Sequence, residues 1–221
     1  MSGLVTLSDD SCVYCCERPG VTRDHVPAKQ LFPVPRPANL LTVPCCGLCN
    51  QRFQPHEDYF RALICLGSTG ETPVARRIWE QKVERGLQRD RGLRRVLTAA
   101  LRRIPAITEA GLYLGHRDAY RVDWPRLHLV VRKWTRALYV EEYGQALPPN
   151  AQIHTRLIHG PLVQTRDVLH QLSLDAKHAW PGVFEYRHNR EAERLDRSMW
   201  TFTVLGSVEF LAVTSVPEKA R

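Results

Sequence analysis

Nowhere in the chain do apolar residues run on for the roughly 20 positions that a bilayer requires, and the N-terminus, MSGLVTLSDD, has neither a basic start nor an apolar stretch. A membrane span and a secretory leader are therefore not expected, and the chain reads as cytoplasmic. Repeats and low-complexity segments are also missing. Acidic residues are short: 23 Asp and Glu stand against 31 Lys and Arg, giving a formal charge of +8 and a pI of about 9.3. That balance favours a polyanionic partner and is silent about fold. At 221 residues and 43% apolar, the chain is long enough for one or two domains with a true core.

Cysteine is not short. There are seven, an odd number, and six fall within the first 49 residues. A disulfide framework is a poor account of that in a reducing compartment, whereas clustering suits a metal. Two knuckles are visible, Cys12-Val13-Tyr14-Cys15 and Cys46-Gly47-Leu48-Cys49. Two-residue spacing lets both sulfurs of a tight turn reach one ion at about 2.3 Å, and two such turns complete a four-thiolate tetrahedron. Such a shell is closed, so the expected Zn²⁺ is structural. Cys16 and Cys45 are substitute ligands of poorer spacing, and Cys65, within ALICLG, reads as core.

Between the knuckles lies TRDHVP. The order Cys-x-x-Cys, DHVPAK, NL, Cys-x-x-Cys-Asn resembles the HNH endonuclease family, in the subclass that adds a four-cysteine zinc to the ββα-metal fold; the resemblance covers about residues 12–60. It implies a metal-dependent nuclease that hydrolyses DNA to 5′-phosphate and 3′-hydroxyl ends, of a kind found in mobile elements, restriction and phage defence. The signature positions map to His25, Asn39 and Asn50, with Asp24 before the first. The implied roles are His25 as general base, Asp24 and Asn50 as ligands of Mg²⁺ or another divalent ion, and Asn39 as the residue that holds the His25 backbone. An imidazole of ordinary pKa near ~6.5 accepts a proton from water at neutral pH. Amide and carboxylate oxygens suit a hard cation that keeps most of its waters. An RNA-cutting enzyme on the same core, or a non-catalytic zinc module that binds nucleic acid, would carry the same motif.

Neighbours on a regular strand point to opposite faces, so Asp24 and His25 serve one phosphate only if the strand twists or ends there; Pro27 favours an ending. Within NQRFQPHEDYF, Pro55 predicts a short helix ending near Gln54 and a new one from Pro55. His56, Glu57 and Asp58 then fall in a first turn, with His56 or Glu57 as a reserve metal ligand.

GSTGETP, residues 67–73, reads as a linker, with Thr72 as N-cap of a helix running to about Gly86. Leu93, Val96, Leu97, Ala100, Leu101 and Ile104 predict a further amphipathic helix. Arg94, Arg95, Arg102 and Arg103 lie off that stripe and are the candidate nucleic-acid-binding residues. Between Arg76 and Arg103 ten basic residues face three acidic ones, and nearly all are arginine, whose planar fork suits phosphate. A helix from Asp123 to Gly144 follows, then a strand at VFEY and a hairpin in which LGSV makes a two-residue turn between Trp200–Val204 and Val208–Ala212. The expected class is α+β in three segments. Residues 1–66 form the zinc-stapled core, 67–105 the basic helices, and 106–221 an α+β domain for target choice, self-association as a homodimer, or a regulatory partner. The later histidines (His128, His154, His159, His170, His178, His188) show no ligand spacing.

Overall fold

The computed structural model describes residues 4–8, 10–68, 72–158 and 177–217. Residues 69–71 of the expected linker, and His159 and His170, lie outside the described residues. The chain mixes helices and antiparallel sheets, as an α+β protein does. No helix among the described residues is long and apolar enough to cross a membrane.

Strands β1 (Thr22–His25) and β2 (Thr42–Cys45) pair antiparallel, with His25 opposite Thr42 and Asp24 opposite Val43. Strand β1 stops two residues short of Pro27, as expected. Helix α1 (Gly47–Ser68) follows β2 directly. It does not break at Pro55, contrary to the expectation of two helices. Pro55 and the Gln51 whose carbonyl it leaves without an N–H are both exposed, so water can satisfy that carbonyl. Burial of Phe53, Tyr59, Phe60, Leu63 and Ile64 holds the helix together on the other face.

Helix α2 (Pro73–Ile78) starts as expected, with the Thr72 hydroxyl accepting from the Ala75 N–H at 3.3 Å. One π turn (Trp79–Val83) joins it to α3 (Glu84–Arg89). Asp90 then caps α4 (Arg91–Ala100) by accepting from the Leu93 N–H at 2.9 Å. The expected helix through Ile104 stops at Ala100. Residues Leu101–Ile107 form β3, paired with β4 (Tyr113–Tyr120), so Arg102 and Arg103 sit on a strand and not on a helix. Pro105 explains this, because it removes a helical N–H and drives Ile104 toward extended backbone. Leu101 and Ile104 satisfied helical spacing by coincidence.

Helix α5 (Trp124–Tyr143) begins after Asp123 and ends at Gly144, whose φ of 66° is the left-handed stop. A five-stranded antiparallel sheet completes the fold, in the order β5 (Gln152–Ile158), β9 (Val208–Ser215), β8 (Ser198–Val204), β7 (Phe184–Arg190), β6 (Lys177–Trp180). Between β8 and β9 the turn has three residues, Leu205–Ser207, and not two, since Val204 pairs with Val208. Leu205 is held at φ 51° by full burial and by its N–H bond to the Val183 carbonyl.

The three segments expected from the sequence share one core. Trp134 of α5 packs edge-on against Phe60 of α1 and Phe184 of β7, each at 5.0 Å between ring centres. Phe210 of β9 reaches Phe60 at 5.7 Å. Most aromatics of the C-terminal half, among them Trp134, Tyr139, Phe184, Trp200, Phe202 and Phe210, are therefore core, as expected, whereas Tyr113 and Trp124 are exposed.

Candidate metal centre and adjoining cleft

The first knuckle is a turn closed by an isolated bridge between Ser11 and Pro19, and the second sits at the start of α1. There the Cys49 N–H donates to the Cys46 sulfur at 3.5 Å, so the sulfur stands where a helix N-cap would and meets the positive end of the helix. The four Sγ atoms of Cys12, Cys15, Cys46 and Cys49 all lie within 4.8 Å of one another, and Cys15 and Cys46 are 4.0 Å apart. Thiolates on one tetrahedral Zn²⁺ would be about 3.8 Å apart, so the four cysteines fit a zinc ion. Chemistry agrees with geometry. A hydrogen bond from Cys45 is the main cause that takes the Cys12 thiol down to about 3, whereas burial and the neighbouring sulfurs push Cys49 up. Four sulfurs this close ionise together only around a cation. The substitutes fall outside the cluster: Cys16 turns to the Leu147 carbonyl and Cys45 to the Cys46 carbonyl.

Beside this cluster is a cleft of about 510 Å³. Asp24, His25, Asn50 and Glu57 line it, with Lys29, Arg61, Lys82, Arg85 and Arg89 around them. Three of the four expected catalytic residues thus meet. Asn39 does not. It is exposed in the turn before β2, and the His25 backbone is held instead by pairing with Thr42 and by the Val26 N–H bond to the Leu41 carbonyl at 3.0 Å. Of the two reserve ligands, Glu57 reaches the cleft and His56 is not among its lining residues.

His25 and Asp24 are in different states. His25 is partly exposed; burial, helped by Lys29 and opposed by Asp24, takes its pKa below the usual 6.5. It is therefore neutral at pH 7 and able to accept a proton. Asp24 is buried. Its Oδ2 accepts from the Tyr14 hydroxyl at 2.5 Å, and Lys133 of α5 lies 2.7 Å from Oδ2 and 3.0 Å from Oδ1. The same ammonium pairs with Glu57, and its side chain is fully buried. A carboxylate has about four acceptor positions, so Asp24 keeps about one for anything in the cleft.

Lys133 was not visible as a functional residue from sequence, though one signal existed. It occupies the row Val130–Lys133–Ala137 on the buried side of α5, where an apolar residue belongs. Replacing it by methionine leaves two carboxylates inside the fold without their cation, a loss of about 3–5 kcal/mol. Urea unfolding of Lys133→Met measures this; adding Asp24→Asn and Glu57→Gln should recover most of it, and a loss below about 1 kcal/mol contradicts the pairing.

The far wall of the cleft is the other part that sequence reasoning missed. The π turn and α3 bring Gln81, Lys82, Arg85 and Arg89 to face α1. Burial takes Lys82 down to about 8, with Arg36 and Arg61 adding to it. Arg61 pairs with Asp58 at 2.9 Å, yet its Nε is buried without a partner among the described residues. Cations held this close together are what an anion would relieve. Arg94 and Arg95 line a separate shallow groove on α4 with Arg91, while Arg102 and Arg103 are exposed on β3. Comparison with known protein families, with curated proteins and with solved structures finds no match to this chain.

Proposed function

We propose that the chain is a metal-dependent endonuclease of HNH type, hydrolysing DNA phosphodiester bonds to 5′-phosphate and 3′-hydroxyl ends. The observation that carries this reading is the cleft: a neutral histidine and an amide from a strand pair and its following helix, beside a four-cysteine cluster, under a wall of arginine and lysine. In this reading Zn²⁺ on Cys12, Cys15, Cys46 and Cys49 is structural. It fixes β1, β2 and the start of α1 relative to one another, so His25 and Asn50 are positioned before substrate arrives.

His25 takes the proton of the attacking water. Arg61, Lys82 and Arg85 hold the strand's phosphates and oppose the charge that grows on phosphorus. Asn50 and the remaining acceptor of Asp24 would hold a divalent ion such as Mg²⁺, whose contribution when bound is positive charge beside the leaving oxygen. Lys133 sits behind Asp24 and orients it. Arg94, Arg95, Arg102 and Arg103 extend the basic surface away from the cleft.

The test is cleavage of supercoiled plasmid, single-stranded DNA and RNA by the purified chain with Mg²⁺ or Mn²⁺, followed by end analysis. Cut plasmid with ligatable 5′-phosphates is the expected result. Cleavage of RNA alone moves the reading to a ribonuclease, and binding without cleavage of any of the three makes the chain a zinc module that only binds. The pH profile adds a second check. A base must be unprotonated, so the rate should rise with pH and level off, with its midpoint below 6.5 because burial depresses His25. A midpoint above about 7 is inconsistent with His25 as the base.

A further inference from the structure

The β3–β4 hairpin is a two-stranded sheet of its own, and no residue of either strand is buried. Hairpins of this kind are marginal in water unless something covers them. Its tip is closed by the Thr108 N–H bond to the Leu112 carbonyl at 2.9 Å, with Gly111 at φ 83° making the turn. Around that tip Ile107, Leu112, Tyr113 and Leu114 are 59%, 64%, 53% and 65% exposed. Among the described residues none of these four large apolar side chains is buried, and Tyr113 meets His116 of the same ribbon, its hydroxyl 2.7 Å from Nδ1.

What surrounds them indicates the partner. From Arg91 to Arg121 there are seven arginines, no lysine, and two acids, Glu109 and Asp118. Asp118 stands opposite Arg103 across the ribbon, and Arg102 donates to the Ala99 and Leu101 carbonyls at the end of α4. The arginines left over are those of α4, which line its groove, together with Arg117 and Arg121. A second copy of the chain would bring an equally basic surface against this one, which like-charge repulsion disfavours. A polyanion relieves it.

We propose that the hairpin is a wedge for duplex DNA: the α4 arginines seat on the phosphates while the apolar tip enters the minor groove and bends the duplex. Apolar wedges that partly unstack a base step behave in this way. A strand of seven or eight residues, at about 3.3 Å each, spans roughly 25 Å, ample for reaching into a groove about 6 Å wide. The proposal rests on nucleic acid being the chain's partner and not on the chemistry of His25, so binding and bending can succeed even where cleavage fails.

The experiment uses the full chain carrying His25→Ala, to prevent cutting, and a 30-base-pair duplex with a donor and an acceptor dye at its ends. Binding is read by anisotropy and bending by energy transfer. Energy transfer should rise on binding. Leu112→Ser with Leu114→Ser, at exposed positions that leave the fold intact, should abolish the rise and weaken binding at least 10-fold without altering its salt dependence. Replacing Arg91, Arg94 and Arg95 with alanine should instead flatten the plot of log K against log salt by about 2.7, the share of three phosphate contacts. A tip variant that bends the duplex as its parent does overturns the proposal, as does a parent that binds no duplex. A parent that sediments as a dimer, with the tip variant a monomer, assigns the hairpin to a second copy.

Discussion

Serine at Cys46 is expected to strip the chain of its zinc and to unfold the β1–β2 and α1 start together. The sulfur has two tasks: it is one of four within 4.8 Å of each other, and it accepts from the Cys49 N–H at the head of α1. Structural zinc contributes an apparent ~10–16 kcal/mol in small zinc modules. That is comparable to the whole ~5–15 kcal/mol by which a domain is stable. Because Phe60 of α1 is also locked against Trp134, loss of the metal should reach the shared core and lower the melting temperature of the whole chain. Elemental analysis of the purified wild type should give one zinc per chain, and Cys46→Ser none. Hydrogen exchange would locate the damage at residues 12–50. Two controls separate ligand from neighbour. Cys45→Ala removes a thiol that hydrogen-bonds to Cys12 and to the Cys46 carbonyl but stands outside the four-sulfur cluster, and Cys65→Ala removes one that burial holds at about 12; both should keep the zinc. A wild type free of metal yet fully folded contradicts the site.

Local chemistry made some of this fold legible in advance. Two-residue cysteine spacing dictates a turn, so both knuckles could be read, and geometry then decided against Cys16 and Cys45. Thr72, Asp123 and Gly144 marked helix ends because each acts within a few residues of itself, although Asp123 ends up paired with Arg126 at 3.3 Å and not with the helix N-terminus. Alternation gave β8 and β9. What escaped depends on partners far along the chain. Helix α1 survives Pro55 because its other face is buried by α5 and the sheet. Strand β3 exists because β4 is there to pair with it, which periodicity in residues 93–104 could not reveal. Lys133 meets Asp24 across 109 residues and Glu57 across 76. The cleft's cationic wall needed the packing of α2 and the π turn against α1 to be known. His25 and Asn50 were legible because the family-like motif is short and continuous; Asn39, read from the same motif, lies outside the cleft.

The second large effect belongs to His25. Removing a general base costs typically 10²–10⁴-fold in rate, and His25 is the imidazole that lines the cleft, with burial holding its pKa below the usual 6.5 against the pull of Asp24. Asp24 is a poorer test than the resemblance implies. Asp24→Ala would strand Lys133 against Glu57 alone, so lost activity and lost stability would arrive together. Asn50→Ala is cleaner and should lose cleavage while keeping the fold. His25→Ala is cleaner still. The side chain is partly exposed, and its backbone is secured by pairing with Thr42. The decisive measurement is the initial rate of plasmid cutting by His25→Ala and by wild type, prepared side by side, at equal zinc content and in Mg²⁺. The account predicts a fall of at least ~10²-fold with duplex binding unchanged. A variant that cuts as fast as wild type, with contaminating nuclease excluded by a mock preparation, would take the base out of the mechanism and leave a zinc module that binds nucleic acid without cutting it.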